Sequence, residues 1–286
     1  MTVTDASPPV HPAQPDLDED IPEPYEGEGL VSAMRDARVV TRRNLLHFIR
    51  QPRLLVFSTI QPVMFVLLFS YVFGGAIGGD LPNVIDYISF LLPGIFVQST
   101  IFRTTQTAVG LAEDLERGVV DRFRSMPMSR SAVLVGRTLA DLVRGLVVIV
   151  LMVAVGYLIG FRFTEGPLAA VASMLVVAVF GFGFSWVFVL VGLKVPGAEA
   201  AQSAGFVFVF PLVFCSSVFV PIETMPKALE TFARLSPITL SADSARALAI
   251  GAGDWLAPTL ATLAWTIVLL AVFVPLSIRA YTASRD

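Results

Sequence analysis

Among the side chains that could do chemistry, Arg103 stands out. It sits in the run Gln98-Ser99-Thr100-Ile101-Phe102-Arg103-Thr104-Thr105-Gln106-Thr107, inside an otherwise apolar stretch. A cation in a membrane-spanning helix costs about 2.5–3.5 kcal/mol on insertion scales, so such a residue marks a functional site by default. Two readings of it stand side by side. Arg103, with Gln98, Thr100 and Gln106, lines a wet cavity or binds an acidic or hydroxyl group; or it snorkels to the headgroups or pairs with a structural partner.

Other chemistry is hard to find. The two histidines are His11 and His47, near one end of the chain, and the single cysteine is Cys215. There is no Cys/His cluster and no HExxH, so neither a metal site nor a metallo-hydrolase is expected. The string GFGFS at 181–185 looks like a serine elbow, but it lies mid-span with no base, and small-residue helix packing explains it better. A phosphate loop needs a lysine after glycine. The lysines are Lys194, after Leu193, and Lys227, after Pro226. No catalytic residue and no cofactor is expected in this chain.

The most distinctive polar stretch is GLAEDLERGVVDRFRSMPMSRSAVLVGRTLADLVRG, residues 110–145, with six arginines and five acids around Pro127. Its pattern predicts a helix over Leu111–Phe123, a break near Pro127 and a return helix from Ser131. A loop needing only to join two spans would be shorter. Arg122, Phe123 and Arg124 have the side-chain types that anchor protein docking; alternatively, the arginines only set topology and bind lipid headgroups.

The elements that must position these residues follow from composition. The chain is 55% hydrophobic and 15% charged, with mean hydropathy +0.74; soluble domains carry about 25% charged residues. No charge interrupts Arg53 to Asp80, Glu165 to Lys194, Glu199 to Glu223, or Asp254 to Arg279, and about 20 apolar residues cross a bilayer core. A soluble enzyme, a disulfide-stapled domain and a disordered chain are excluded. The expected fold is an all-α integral membrane protein with six spans, near 54–75, 87–109, 142–160, 168–193, 203–221 and 257–278. The second is weakened by Arg103. Pro62, Pro93 and Pro211 fall inside spans, where neighbouring helices re-satisfy freed carbonyls.

Residues 1–29 hold eight acids and no Lys or Arg, and read as a disordered, solvated cytoplasmic tail. Orientation follows from the remaining bases. With both termini in the cytoplasm, fifteen Lys and Arg fall on that side against four outside (Arg162, Lys227, Arg234 and Arg246). Residues 30–53 read as a basic amphipathic helix. At ~100° per residue its arginines, Arg35, Arg38, Arg42, Arg43, Arg50 and Arg53, fall within roughly 140°, suiting anionic headgroups. Residues 222–256 are too charged to cross, and Met225–Leu235 and Leu240–Ile250 each have the length of a short helix. The fifth span carries Phe206, Phe210 and Phe214 with Ser216. These could form an aromatic wall for a flat amphiphile, or ordinary packing bulk.

The passages TRRNLLHFIRQPRLLVFSTIQPVMFVLLFSYVFGG (41–75), LLPGIFVQS (91–99), GLAEDLERGVVDRFRSMPMSRSAVLVGRTLADLVR (110–144) and FPLVFCSSVFVPIETMPKALETFARLSPITLSADSARAL (210–248) carry a resemblance. The chain resembles the permease subunit of type-2 ABC transporters, the daunorubicin/doxorubicin-resistance exporter group. The resemblance implies a transmembrane domain over 54–280 and a short cytoplasmic end, 281–286. It implies a coupling loop over 110–141, with Glu116, Arg117, Gly118, Asp121, Arg122, Phe123, Arg124, Pro127 and Arg130 forming or supporting the ATPase-coupling surface. It makes residues 30–53 an interfacial helix and residues 222–256 an external re-entrant helical pair.

The implied partners are two copies of a separate ABC ATPase, which would hold ATP and Mg, and a second permease, as a homodimer in the cytoplasmic membrane. No nucleic acid is expected. Arg103 departs from the family pattern, where a small or neutral residue is expected. The implied function is ATP-driven export of an amphiphilic, drug-like or lipid-like molecule. The rivals are a membrane scaffold without transport activity and a carrier not driven by ATP; a proton-coupled carrier would need titratable groups in its spans, which are missing.

Overall fold

The computed structural model describes residues 35, 38–39, 41–42, 52–77, 87–118 and 130–283; side chains at 52–59, 73–77, 130–132 and 283 fall outside that description. Among the described residues the regular structure is helix alone, with no strand. Eight α-helices follow in order: α1 (Pro52–Ile77), α2 (Tyr87–Glu116), α3 (Arg130–Leu158), α4 (Gly166–Lys194), α5 (Ala198–Phe214), α6 (Lys227–Leu235), α7 (Pro237–Ile250) and α8 (Leu256–Ala283). Val133–Leu158, Gly166–Lys194 and Leu256–Thr282 are long and apolar enough to cross a membrane, while Ile60–Val72 and Ala198–Phe214 are shorter apolar helices.

The polar helix α2 is the axis of the bundle. Every residue from Leu91 to Ile101 is buried, so its hydroxyls and amides meet protein instead of lipid. Between lipid-embedded helices there is little hydrophobic drive, and close backbone approach through small residues supplies the packing. Glycines on three helices face α2. A methyl at Gly181 in α4 would stand 2.1 Å from Thr100 Cγ2, one at Gly192 2.6 Å from the Ala108 carbonyl, and one at Gly205 in α5 2.8 Å from Thr105. Gly156 in α3 meets Leu92 in the same way. GFGFS is therefore a packing motif: Gly181 fits α2, Gly183 fits Thr266 of α8, and Ser185 donates to the Phe182 carbonyl at 2.7 Å.

The ends of the helices explain where expectation and structure differ. α2 runs past the apolar stretch to Glu116 and turns at Arg117 and Gly118, the latter with a left-handed φ of +66°; the rest of the helix expected to Phe123 lies outside the described residues. The return helix expected from Ser131 is present as α3, which starts at Arg130 and carries Arg137, Asp141 and Arg144. The fifth helix ends at Phe214, short of the expected 221. Ser216 Oγ donates to the Val213 carbonyl at 2.5 Å, competing with the ladder, and the next carbonyls are taken by α7.

The two short helices between α5 and α8 are present as α6 and α7, joined by Ser236. α6 is mostly exposed, with Leu229, Phe232 and Leu235 open; its Arg234 donates twice to Glu230, which raises the arginine's pKa further. α7 is buried along most of its length, starts on Pro237 and ends on left-handed Gly251. Asp254 caps α8 by accepting from the Leu256 and Ala257 amides at 3.0 and 3.3 Å.

Candidate functional site: a polar cleft on the central helix

A cleft of about 700 Å³ opens where α1, α2, α3 and α5 meet. That lies within the range of about 300–1,000 Å³ typical of small-molecule sites. Gln61 and Pro62 form the α1 wall. α2 gives Gln98, Ser99, Arg103, Gln106 and Glu113, α3 gives Arg137, Arg144 and Val148, and α5 gives Gln202 and Phe206. Phe102 and Phe206 meet edge-on, with centroids 6.4 Å apart, at an apolar side of the cleft.

Three arginines reach this cleft from two helices. Arg137 pairs with Asp114 of α2 and lies against Gly110, where a methyl would be 2.2 Å from its Nη2. Arg144 Nη1 lies 3.4 Å from Asp141 Oδ1, and Asp141 also accepts the Thr107 hydroxyl at 2.8 Å. Arg103 makes no ion pair among the described residues, and its Nη1 is buried without a hydrogen-bond partner. Its guanidinium lies on the Cα of Gly145, where any side chain would begin 2.2 Å from Nη2. Asp141 attracts it and Arg144 repels it. Gln98 Oε1 is also buried and unpartnered, and Gln106 Nε2 reaches Gln202 Oε1 only at 3.4 Å.

The structure thus brings Gln98, Arg103, Gln106 and Phe206 together and separates them from the other candidate path residues. Thr100 turns the other way, against Gly181. Phe210 and Phe214 stack at 4.2 Å and continue through Phe219 to Phe69 and Phe65 of α1, an aromatic seam away from the cleft. Ser216 is fully buried and bonded to backbone, which corrects its assignment to a path. Gln61, Glu113, Arg137, Asp141, Arg144 and Gln202 belong to the site or its support and were missed. Gln61 and Gln202 could have been found as lone amides in apolar runs.

A second buried arginine is Arg246 of α7, one of the four bases counted outside and part of the expected short helix Leu240–Ile250. It is 3% exposed. Nε donates to the Phe90 carbonyl at 2.8 Å, Nη1 to Ser217 Oγ and Asp243 Oδ1 at 3.1 and 3.0 Å, and Nη2 to the Ser217 and Val218 carbonyls at 2.6 and 2.9 Å. Its guanidinium also lies 3.7 Å over the Phe90 ring. These bonds satisfy the non-helical backbone after α5 and a carbonyl in the turn disturbed by Pro93, the condition for irregular backbone away from water.

Of the expected coupling residues, Glu116 and Arg117 are exposed at the end of α2, with Arg117 3.2 Å from Glu113. Glu116 reaches α5: a methyl on Gly197, the residue preceding that helix, would stand 2.3 Å from its carboxylate oxygen. Acidic charge is favourable at a helix N-terminus. Asp121, Arg122, Phe123, Arg124, Pro127 and the side chain of Arg130 lie outside the described residues, as do Arg43, Arg50 and the acidic tail. Arg35, Arg38 and Arg42 are helical and exposed, and Thr41 donates to the Gly136 carbonyl at 3.1 Å, tying that segment to α3.

The profile of the ABC-2 type transporter membrane family matches residues 35–250. The chain is 36% identical over 240 residues to the daunorubicin resistance ABC transporter permease protein DrrB1 of Streptomyces coeruleorubidus, covering 84% of this chain and 83% of that one. It is 26% identical over 254 residues to the probable doxorubicin resistance ABC transporter permease protein DrrC of Mycobacterium tuberculosis, covering 85% and 87%. Over 138 residues it is 31% identical to the doxorubicin resistance permease DrrB of the same organism, about half of each chain (48% and 47%). With long apolar helices packed around a polar axis and a family match across most of its length, the chain belongs to the ABC-2 type transporters and is a multi-pass membrane permease of the group that includes the daunorubicin-resistance proteins.

Proposed function

We propose that this chain is the membrane half of an ATP-driven exporter that moves an amphiphilic, drug-like or lipid-like molecule across the cytoplasmic membrane. α1 to α5 and α8 act as six spans, both termini lie in the cytoplasm, and α6 with α7 form a re-entrant pair at the outer face. Two permeases pair, as a homodimer, and a separate ATPase, in two copies and holding ATP and Mg, docks beneath them. The segment from Glu116 to Arg130 couples them.

The observation that carries this reading is the cleft: a roomy, polar, arginine-bearing space on the central helix, with apolar residues on one side. A scaffold has no use for such a space, since uncompensated polar groups within the bilayer are expensive. Glu116 supports the coupling role, because it joins the end of α2 to the start of α5. Closure of the ATPases would move that corner, tilt α5 against α2 and reshape the cleft.

Reconstitution tests it. Vesicles holding the permease and its ATPase should move a fluorescent amphiphile only with ATP, and the permease alone should neither hydrolyse ATP nor move cargo. Hydrolysis by the isolated chain would contradict the reading. Replacing Arg122 and Phe123 together should abolish ATPase co-purification at normal membrane insertion; wild-type co-purification would reject the coupling role.

A further inference from the structure

The cleft is unbalanced in charge. Arg137 and Arg144 are each matched by a carboxylate, Asp114 and Asp141, and Glu113 is matched by Arg117. Asp141, the acid that attracts Arg103, is already engaged by Arg144 and Thr107. Among the described residues one positive charge remains, on Arg103, and its Nη1 and the neighbouring Gln98 Oε1 are buried without partners there. The guanidinium is not free to drift, because it is bedded against the backbone at Gly145. A fixed guanidinium presents paired N–H donors that match a phosphate or carboxylate.

The apolar complement is adjacent. Phe206, at the edge of the cleft, is 51% exposed and meets Phe102 edge-on there. A molecule seated with its head on Arg103 can lay its hydrophobic body along Phe102 and Phe206. A cationic head would be repelled by Arg103, and each acid described nearby, Glu113, Asp114 and Asp141, is already paired.

We infer that the cleft receives the anionic headgroup of an amphiphile, a phosphate or carboxylate, with Arg103 reading its charge and Gln98 and Gln106 bonding its polar substituents. This rests on the export reading for its physiological meaning, but the site itself is a binding claim and is tested without ATP.

The experiment uses the full chain with its ATPase in neutral maltoside micelles. Three lipids share one short fluorescent acyl chain: phosphatidylglycerol (anionic), phosphatidylcholine (zwitterionic) and ethyl-phosphatidylcholine (cationic). Fluorescence anisotropy should show the anionic probe binding at least about tenfold tighter than the cationic one, as expected for a charge read out of bulk water. Arg103→Gln should bring that ratio near unity, and Arg103→Lys should retain most of it. Gly145→Ala, which displaces the guanidinium without removing it, should weaken the anionic probe and spare the zwitterionic one.

Equal or tighter binding of the cationic probe to the wild-type protein overturns the inference, and does so even if no variant folds. Anion selectivity that survives Arg103→Gln overturns the role of Arg103. Displacement of the anionic probe by millimolar inorganic phosphate, with no dependence on the acyl chain, overturns the amphiphile assignment. Selectivity that stands while ATP moves no probe in vesicles supports the site and counts against export.

Discussion

Arg103 and Arg246 are both arginines within the bundle, yet the protein treats them oppositely. Arg246 donates five hydrogen bonds, to three carbonyls, a serine and an aspartate, and covers a phenylalanine face. Arg103 has none among the described residues and rests on a glycine beside an open cleft. A buried charge with every donor satisfied holds backbone in place. A charge left unsatisfied beside a cavity is kept at a cost to the fold, which is sensible only if something outside the chain completes it. The difference separates a structural staple from a binding group.

Substitutions at four positions test that contrast, in falling order of effect. Arg246→Ala should be the most damaging. It strands the Ser217, Val218 and Phe90 carbonyls and Asp243, and breaking a buried network of this kind costs about 3–5 kcal/mol. The expected result is loss of folded protein in size-exclusion and thermal-unfolding assays. Arg246→Lys should recover only part of it, since an ammonium cannot span carbonyls on α2 and beyond α5 together. A wild-type melting profile for Arg246→Ala would erase the distinction.

Arg103→Gln should invert the pattern. Removing an unpartnered buried charge should leave the fold at least as stable as the wild type, while ATP-driven movement of an anionic amphiphile falls at least about tenfold, equivalent to roughly 1.4 kcal/mol. Equal losses of stability and transport would make Arg103 a second staple. Third, Asp243→Asn should cost about 1–2 kcal/mol, because Ser217 and Arg246 lose a charged acceptor but keep their other bonds; thermal unfolding reads it. Last, Glu113→Gln, which removes an exposed i,i+4 partner of Arg117, should cost no more than about 0.5 kcal/mol.

The same contrast shows what can be read from one dimension. α4 and α8 were legible because unbroken apolar runs of bilayer length admit one reading, and α6 with α7 because prolines and charges cut 222–256 into two short pieces. α5 was misjudged at its end, since Cys215–Val220 is as apolar as the helix before it. What stops the helix there is tertiary, the capture of its trailing carbonyls by an arginine about 30 residues later. For the same reason the burial of Arg246 was not legible: a residue's sequence neighbours do not reveal that its partners lie on α2 and past α5. Arg103 was legible because polarity in an apolar run is local. Gln61 and Gln202 carried the same signal more faintly, as single amides. That Thr100 faces α4 while Gln98 faces the cleft is set by Gly181, which no pattern around Thr100 discloses.

The central claim is that the Arg103 cleft lies on a path gated by an external ATPase. With Cys215→Ser as background, Gln106→Cys places one thiol at the exposed edge of that cleft. Its labelling rate by a charged methanethiosulfonate in vesicles bearing permease and ATPase reads the gate directly. The account predicts ready labelling without nucleotide and a marked change when the ATPase is trapped with ATP and vanadate, absent when the ATPase is omitted. A rate unaffected by ATPase and nucleotide would contradict it.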